Sequence, residues 1–252
     1  MYYIVLDLEF NQDFPSLQDV EMKRQRSFFE IIQIGAIKLD AGLNNIDVFN
    51  RYIKPMVYSE VSSYVTDLTG ITSEQIIKED KFPEVYDDFI EFVEGMDSVF
   101  CTWGMSDMRI LFKNTDYHKT DNQSMPKSYI NLQPYASKFL GLSSKKLLSL
   151  EYALEALGID TQYKFHNAAN DAYYTAEIFK EIYNPFMDPK QYDPNYVKPR
   201  PPKIKRVVNY DALLNQFQKM YARDITKEEQ EMISLAYLMG KTHQFLEEEE
   251  KP

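Results

Sequence analysis

The stretch that most constrains the fold is Tyr2-Tyr3-Ile4-Val5-Leu6-Asp7-Leu8, an apolar, β-favouring run that ends in acids. It reads as a buried strand. Residues two apart on a strand point to the same face, so Asp7 and Glu9 set two carboxylates side by side. Their repulsion costs free energy unless a cation lies between them. Hard oxygen ligands favour Mg²⁺ or Mn²⁺ over zinc. An isolated D-x-E is more commonly a solvated strand end, so this pair alone does not make a site.

Two more strand patterns follow, Glu30–Ile37 and Asn50–Pro55, and at hairpin spacing the three suggest an antiparallel meander. Residues 11–28 are polar, with Pro15 and the cluster Lys23-Arg24-Gln25-Arg26, and read as a long loop. Beyond them helices and strands alternate. A helix runs through Phe82, Val85, Phe89, Phe92 and Val93 and stops near Gly95; Val99–Trp103 is a short strand. Ser106 can cap a helix, Tyr129–Leu132 is a strand, and a helix lies around Tyr135–Leu140. Leu150–Leu157 is a helix stopped by Gly158, and Asn167 can cap another from Ala168 to about Tyr183. That order predicts an α/β domain with a mixed sheet over residues 1–184. Six prolines between 185 and 202 predict a stiff linker, taken to residue 208. Residues 209–252 carry two helix patterns. One is the stripe Tyr210, Leu213, Leu214, Phe217, Met220 and Tyr221; the other follows a capping box from Thr226 to Glu229.

Composition bounds the class. With 252 residues, 44% of them hydrophobic and 14% aromatic, the chain buries a sizeable core and is not disordered. The single Cys101 excludes an internal disulfide and points to a reducing, cytoplasmic compartment. No apolar run reaches ~18 residues, so no transmembrane helix is expected. The first residues lack the basic segment of a signal peptide. A net charge of −11 argues, as a total, against a nucleic-acid binder. The charge is uneven, however: residues 185–206 hold six basic and two acidic residues. A polyanion would have to be held by bound cations, by local basic patches or by that stretch.

Two further places carry reactive side chains. His166-Asn167-Ala168-Ala169-Asn170-Asp171 sets a histidine in a loop and an acid in the first turns of a helix, with two alanines that permit close approach. Trp103-Gly104-Met105-Ser106-Asp107 takes a strand through a glycine to another acid at a helix start. Each has a plain explanation, because the helix dipole favours acids there. In order and context, though, Asp7, Glu9, Asp107, His166 and Asp171 match the D-x-E, D and H-x4-D pattern of DEDDh exonucleases. The chain resembles that group of the DnaQ-like superfamily, which has an RNase H-like fold. Glu30–Ala36 resembles its E-I-I-x-I-G-A strand, and Leu68-Thr69-Gly70-Ile71-Thr72 its L-T-G-I-T segment. Ser149–Ile159 resembles its S-L-x-x-A-L-x-x-L-G-I stretch. Asp7-Leu8-Glu9-Phe10 and the segment from Cys101 to Asp107 look nearest to the ERI-like and KapD-like branch, whose members tend to act on RNA.

The resemblance implies an RNase H-like mixed sheet, an antiparallel meander followed by parallel strands, flanked by helices and followed by a C-terminal helical extension. It implies two divalent ions, Mg²⁺ or Mn²⁺, held by Asp7, Glu9, Asp107 and Asp171, with Asp7 as the bridge. It makes His166 the general base, since an ordinary pKa near ~6.5 suits proton removal at neutral pH. The implied reaction is 3′–5′ exonuclease hydrolysis of the 3′-terminal phosphodiester of single-stranded nucleic acid, RNA favoured over DNA, releasing nucleoside 5′-monophosphates. Leu8, Phe10, Asn11 and Phe165 are the expected substrate contacts. Trp103 is a further stacking surface or a core residue. Many relatives have a Thr at the position of Phe10 or Asn11; neither residue here has that hydroxyl, which leaves the terminal base or sugar preference open. The alternative is a non-catalytic nucleic-acid-binding or scaffold protein that retains the fold. The C-terminal stripes would dock on the chain's own core, self-associate or meet a protein partner.

Overall fold

The computed structural model describes residues 1–12, 28–93, 95, 97–196 and 208–241. The loop expected over residues 11–28 and the basic stretch from 198 to 206 lie almost wholly outside the described residues.

The first compact unit contains, in order, β1 (Tyr3–Asn11), β2 (Glu30–Leu39), β3 (Asn45–Tyr52), α1 (Ser63–Thr69), α2 (Ser73–Ile76) and α3 (Phe82–Val93). It continues with β4 (Val99–Thr102), α4 (Ser106–His118), β5 (Ser128–Asn131), α5 (Gln133–Phe139), α6 (Leu150–Leu157), α7 (Ala168–Ile182) and β6 (Lys190–Gln191). The strands form one sheet ordered β3-β2-β1-β4-β5-β6. β1 runs antiparallel to β2, and β2 to β3, while the β1–β4 and β4–β5 pairs are parallel. This is the expected meander followed by parallel strands.

β1 lies inside the sheet and is apolar on both faces, as a strand covered on both sides must be. Ile4, Leu6 and Leu8 enter one core with Phe82 and Phe89 of α3 and Leu111 of α4. Tyr3 and Val5 enter the other with Ala172, Tyr174 and Phe179 of α7. The period of two then carries Asp7 and Glu9 onto the α7 side. A bulge between Glu9 and Phe10 shifts the register with β2, and pairing resumes as Phe10 with Ile31 and Asn11 with Glu30.

Three details differ from the sequence reading. β3 begins at Asn45 rather than Asn50, because the hairpin turns early, at Asp40. Its Oδ1 accepts hydrogen bonds from the amides of Gly42 (2.8 Å) and Asn44 (2.9 Å). Ser106 does not cap α4; Met105 is the cap residue, without a side-chain bond, and the Ser106 hydroxyl accepts from Arg109 Nη2 at 3.4 Å. Residues 185–196, expected to open the linker, are folded into the first unit, which extends to Tyr196. There β6 pairs antiparallel with β5, the Tyr192 amide donates to Lys127 O at 2.7 Å, and the Tyr192 ring lies 4.8 Å from Phe112. A two-residue strand is too short to show a period, and the prolines around it mask it.

The second unit holds α8 (Tyr210–Tyr221) and α9 (Lys227–Lys241). Thr226 and Glu229 form the expected capping box: Glu229 N donates to Thr226 Oγ1 at 3.3 Å and Thr226 N to Glu229 Oε2 at 2.9 Å. Neither helix contains a buried residue. Among the described residues no helix is long and apolar enough to cross a membrane.

Candidate active site

Asp7, Glu9, Asp107, His166 and Asp171 meet in an open cleft of about 270 Å³ at the end of β1. Three separate devices bring them there. The first is β1 itself, whose alternation aims Asp7 and Glu9 at α7. The second is the β4–α4 turn, where Gly104 takes φ +101°, a left-handed conformation that side chains disfavour. Its amide donates to Asn131 Oδ1 at 3.2 Å, and this turn sets Asp107 in the first turn of α4.

The third device docks α7 on the sheet. Gly35 of β2 pairs with Asp7. A Cβ on Gly35 would lie 2.1 Å from the backbone carbon of Ala168, so the helix start rests on bare strand backbone. Gln33 Oε1 accepts the Ala168 amide at 3.1 Å, while Gln33 Nε2 donates to Asn50 Oδ1 at 2.9 Å. Asn167 caps the helix through Asn170 N. Asp171 is thereby delivered beside Asp7. His166 takes φ +60°, a conformation that costs a non-glycine residue about 1 kcal/mol or more. Its amide donates to Asp171 Oδ2 at 3.0 Å, and its ring is exposed. Ligand atoms of Glu9, His166 and Asp171 lie within 4.8 Å of one another.

The electrostatics are those of a cation site. Burial, followed by repulsion from Asp107, Asp171 and Glu9, holds the Asp7 carboxyl well above the usual carboxylate range. Burial and the neighbouring acids push Glu9 up to about 8. Burial pushes Asp107 up to about 7 and Asp171 to about 6, the latter opposed by the His166 amide. Asp171 Oδ1 is buried without a hydrogen-bond partner among the described residues. Crowded carboxylates with an unsatisfied buried oxygen fit hard divalent cations.

The expected substrate contacts divide. Phe10 and Leu8 border the cleft, although the Leu8 side chain is 3% exposed and packs in the opposite core. Asn11 does not reach the cleft. It is 1% exposed, donates to Glu60 O at 2.9 Å and accepts from Ser62 N at 3.0 Å, tying β1 to the loop before α1. Phe165 lies on Tyr174, with ring centroids 5.1 Å apart, and lines a separate hollow beside Glu151 and Gly158. Trp103 is half-buried and lines the cleft, with Nε1 donating to Leu148 O at 3.0 Å. The sequence reading did not place Gln12, Tyr64, Val65, Leu68, Thr69 or Ser106 at the site, yet all line it. The L-T-G-I-T segment was the available signal for the α1 wall.

The pattern of the RNase T exonuclease family matches residues 4–179. The chain belongs to the exonuclease family. Rat 3′–5′ exoribonuclease 1 is 28% identical over 159 residues, 59% of this chain and 45% of that protein. The chain thus spans about half the length of the exoribonucleases it matches. The probable 3′–5′ exonuclease KapD of Bacillus subtilis is 25% identical over 225 residues, 84% of this chain and 96% of that one. The nuclease domain of 3′hExo, a DEDDh family member bound to rAMP, shares the fold, with a TM-score of 0.63 at 22% identity over 76% of this chain and 96% of that one.

Proposed function

We propose that the protein is a metal-dependent 3′–5′ exonuclease that hydrolyses the 3′-terminal phosphodiester of single-stranded nucleic acid, RNA in preference to DNA, to nucleoside 5′-monophosphates. The observation that carries this is the convergence of four acids and one histidine from β1, α4 and the α7 entry in a single open cleft. The names of the exoribonuclease relatives support the RNA preference.

Asp7, Glu9, Asp107 and Asp171 would hold two divalent ions, Mg²⁺ or Mn²⁺. When bound, such ions neutralise charge on a phosphoryl group and lower the pKa of an attacking water. His166 accepts the proton of that water as its oxygen attacks phosphorus, and the 3′-oxygen of the preceding nucleotide leaves. The exposed ring beside Glu9 and Asp171 suits this task, and the Asp171–amide bond fixes the loop that carries it. Phe10, Trp103 and Leu68 offer apolar surface to the terminal nucleotide. Nuclease function is assigned to the first unit. The exposed stripes of α8 and α9 support a secondary role in self-association or contact with a protein partner. The single buried cysteine supports a cytoplasmic setting.

The test compares His166→Ala with wild type on labelled single strands and duplexes of RNA and DNA. Wild type should release mononucleotides from the 3′ end with Mg²⁺ or Mn²⁺ and stop in chelator. The variant should bind strands normally but turn over roughly 10²–10⁴-fold more slowly. Wild-type binding without hydrolysis on every substrate would make the protein a binding module.

A further inference from the structure

A larger groove runs along α4 from the same end at which that helix borders the candidate catalytic cleft. Its volume is about 940 Å³, and it runs from Met105 and Arg109 past Lys113 and Lys127 to Tyr192 and Tyr196. Both hollows border the start of α4: Met105 lines the groove and the next residue, Ser106, lines the cleft. Arg109 is fastened at this junction. Its Nε donates to Met105 O at 3.1 Å, and its Nη2 to Ser106 Oγ at 3.4 Å.

The lining has the chemistry of a strand-binding channel. Arg109 and Lys113 stand four residues apart on α4 and so face the same way. Lys127 contributes a third cation; its carbonyl holds the Tyr192 amide. All three cations are exposed, and none forms a salt bridge among the described residues. Asp116 and Asp193 also line the groove, which leaves it with a positive excess in a chain whose net charge is −11. Tyr196, 68% exposed, and the half-buried Tyr192 present rings on which bases can stack.

We propose that this groove holds the single strand leading up to the 3′ end, its phosphates on Arg109, Lys113 and Lys127 and its bases against Tyr192 and Tyr196. The proposal rests on the exonuclease reading and adds to it: the acidic cleft takes the terminal nucleotides, and the groove makes affinity depend on strand length. Phosphates reach the acids only with bound cations, whereas the groove supplies its own positive charge.

The test reads binding without turnover, in His166→Ala protein with Mg²⁺, by fluorescence anisotropy. The probes are a tetranucleotide, a twenty-nucleotide strand and a polyglutamate peptide. Adding Lys113→Gln and Lys127→Gln should weaken the long strand about tenfold and reduce its log–log salt slope by about 1.4, at ~0.7 per phosphate contact on a single strand. Tetranucleotide affinity and melting temperature should stay as they were. Unchanged affinity and slope for the long strand would overturn the proposal. So would polyglutamate binding that the double substitution abolishes while strand binding persists, since the groove would then serve an acidic protein segment. Wild type that hydrolyses no strand would count against the exonuclease reading alone, because the groove is read by binding.

Discussion

Asp7 occupies a position unfavourable to a carboxylate, half-buried midway along an interior strand and facing three other acids. In the unfolded chain these acids ionise near pH 4. In the folded protein they hold their protons higher, Asp171 to about 6, Asp107 to about 7 and Glu9 to about 8. The native state therefore binds more protons than the unfolded state across that window, and stability falls as pH rises from about 4 to about 8. Metal-free protein should melt at a lower temperature near pH 8.5 than near pH 5.5, and Mg²⁺ should recover the stability lost at the higher pH. Asp7→Asn should flatten the fall and raise the melting temperature of chelated protein near pH 8.5, while losing the response to Mg²⁺. Scanning calorimetry with equal pH slopes for both proteins would remove the acid cluster as the source. His166→Ala should keep the response to Mg²⁺, which would separate the proposed proton acceptor from the acids proposed to hold the ions.

At the scale of elements, the contact between β2 and the start of α7 matters most. Gly35 and Gln33 lie on a strand that contributes no catalytic group, yet they set where Asp171 and His166 stand. Gly35→Ala should press a methyl group into the Ala168 backbone. Overpacking of this kind costs about 1–3 kcal/mol. It should lower the melting temperature and cut turnover at least about tenfold through displacement of Asp171, at one 1.4 kcal/mol step per decade. Wild-type turnover in Gly35→Ala would mean that α7 is placed by its other contacts. Gln33→Leu should act in the same direction, because it orphans the Ala168 amide and Asn50 Oδ1.

At the scale of the molecule, the first compact unit runs to Tyr196, past the first proline of the 185–202 stretch. Residues 190–192 cover the β5 edge and pack Tyr192 against Phe112 and Tyr129. A chain cut after residue 196 should fold and hydrolyse short strands. A chain cut after residue 184 should melt several degrees lower and aggregate more readily through its uncovered edge. Equal melting temperatures would make β6 dispensable. The five cations between Lys198 and Arg206 give a separate expectation: replacing all of them with Gln should flatten the salt dependence of binding to long strands and leave dinucleotide turnover unchanged.

The sequence by itself determined the central strand, the order of the five longer strands and of the helices from α3 onward, the caps at Asn167 and Thr226, and the five residues that meet in the cleft, but not α1, α2 or β6. These are carried by local signals: a period, a cap or a short spacing that the chain shows within a few residues. Only the tertiary structure decided that Asn11 ties a loop, that Phe165 turns to Tyr174, that Leu68 and Tyr64 wall the cleft, and that the proline-rich segment adds a strand. The physical reason is that the facing of a side chain depends on what packs against it. Asn11 meets Glu60 across 49 residues and β6 pairs with β5 across the whole α5–α7 stretch, and such contacts leave no local period.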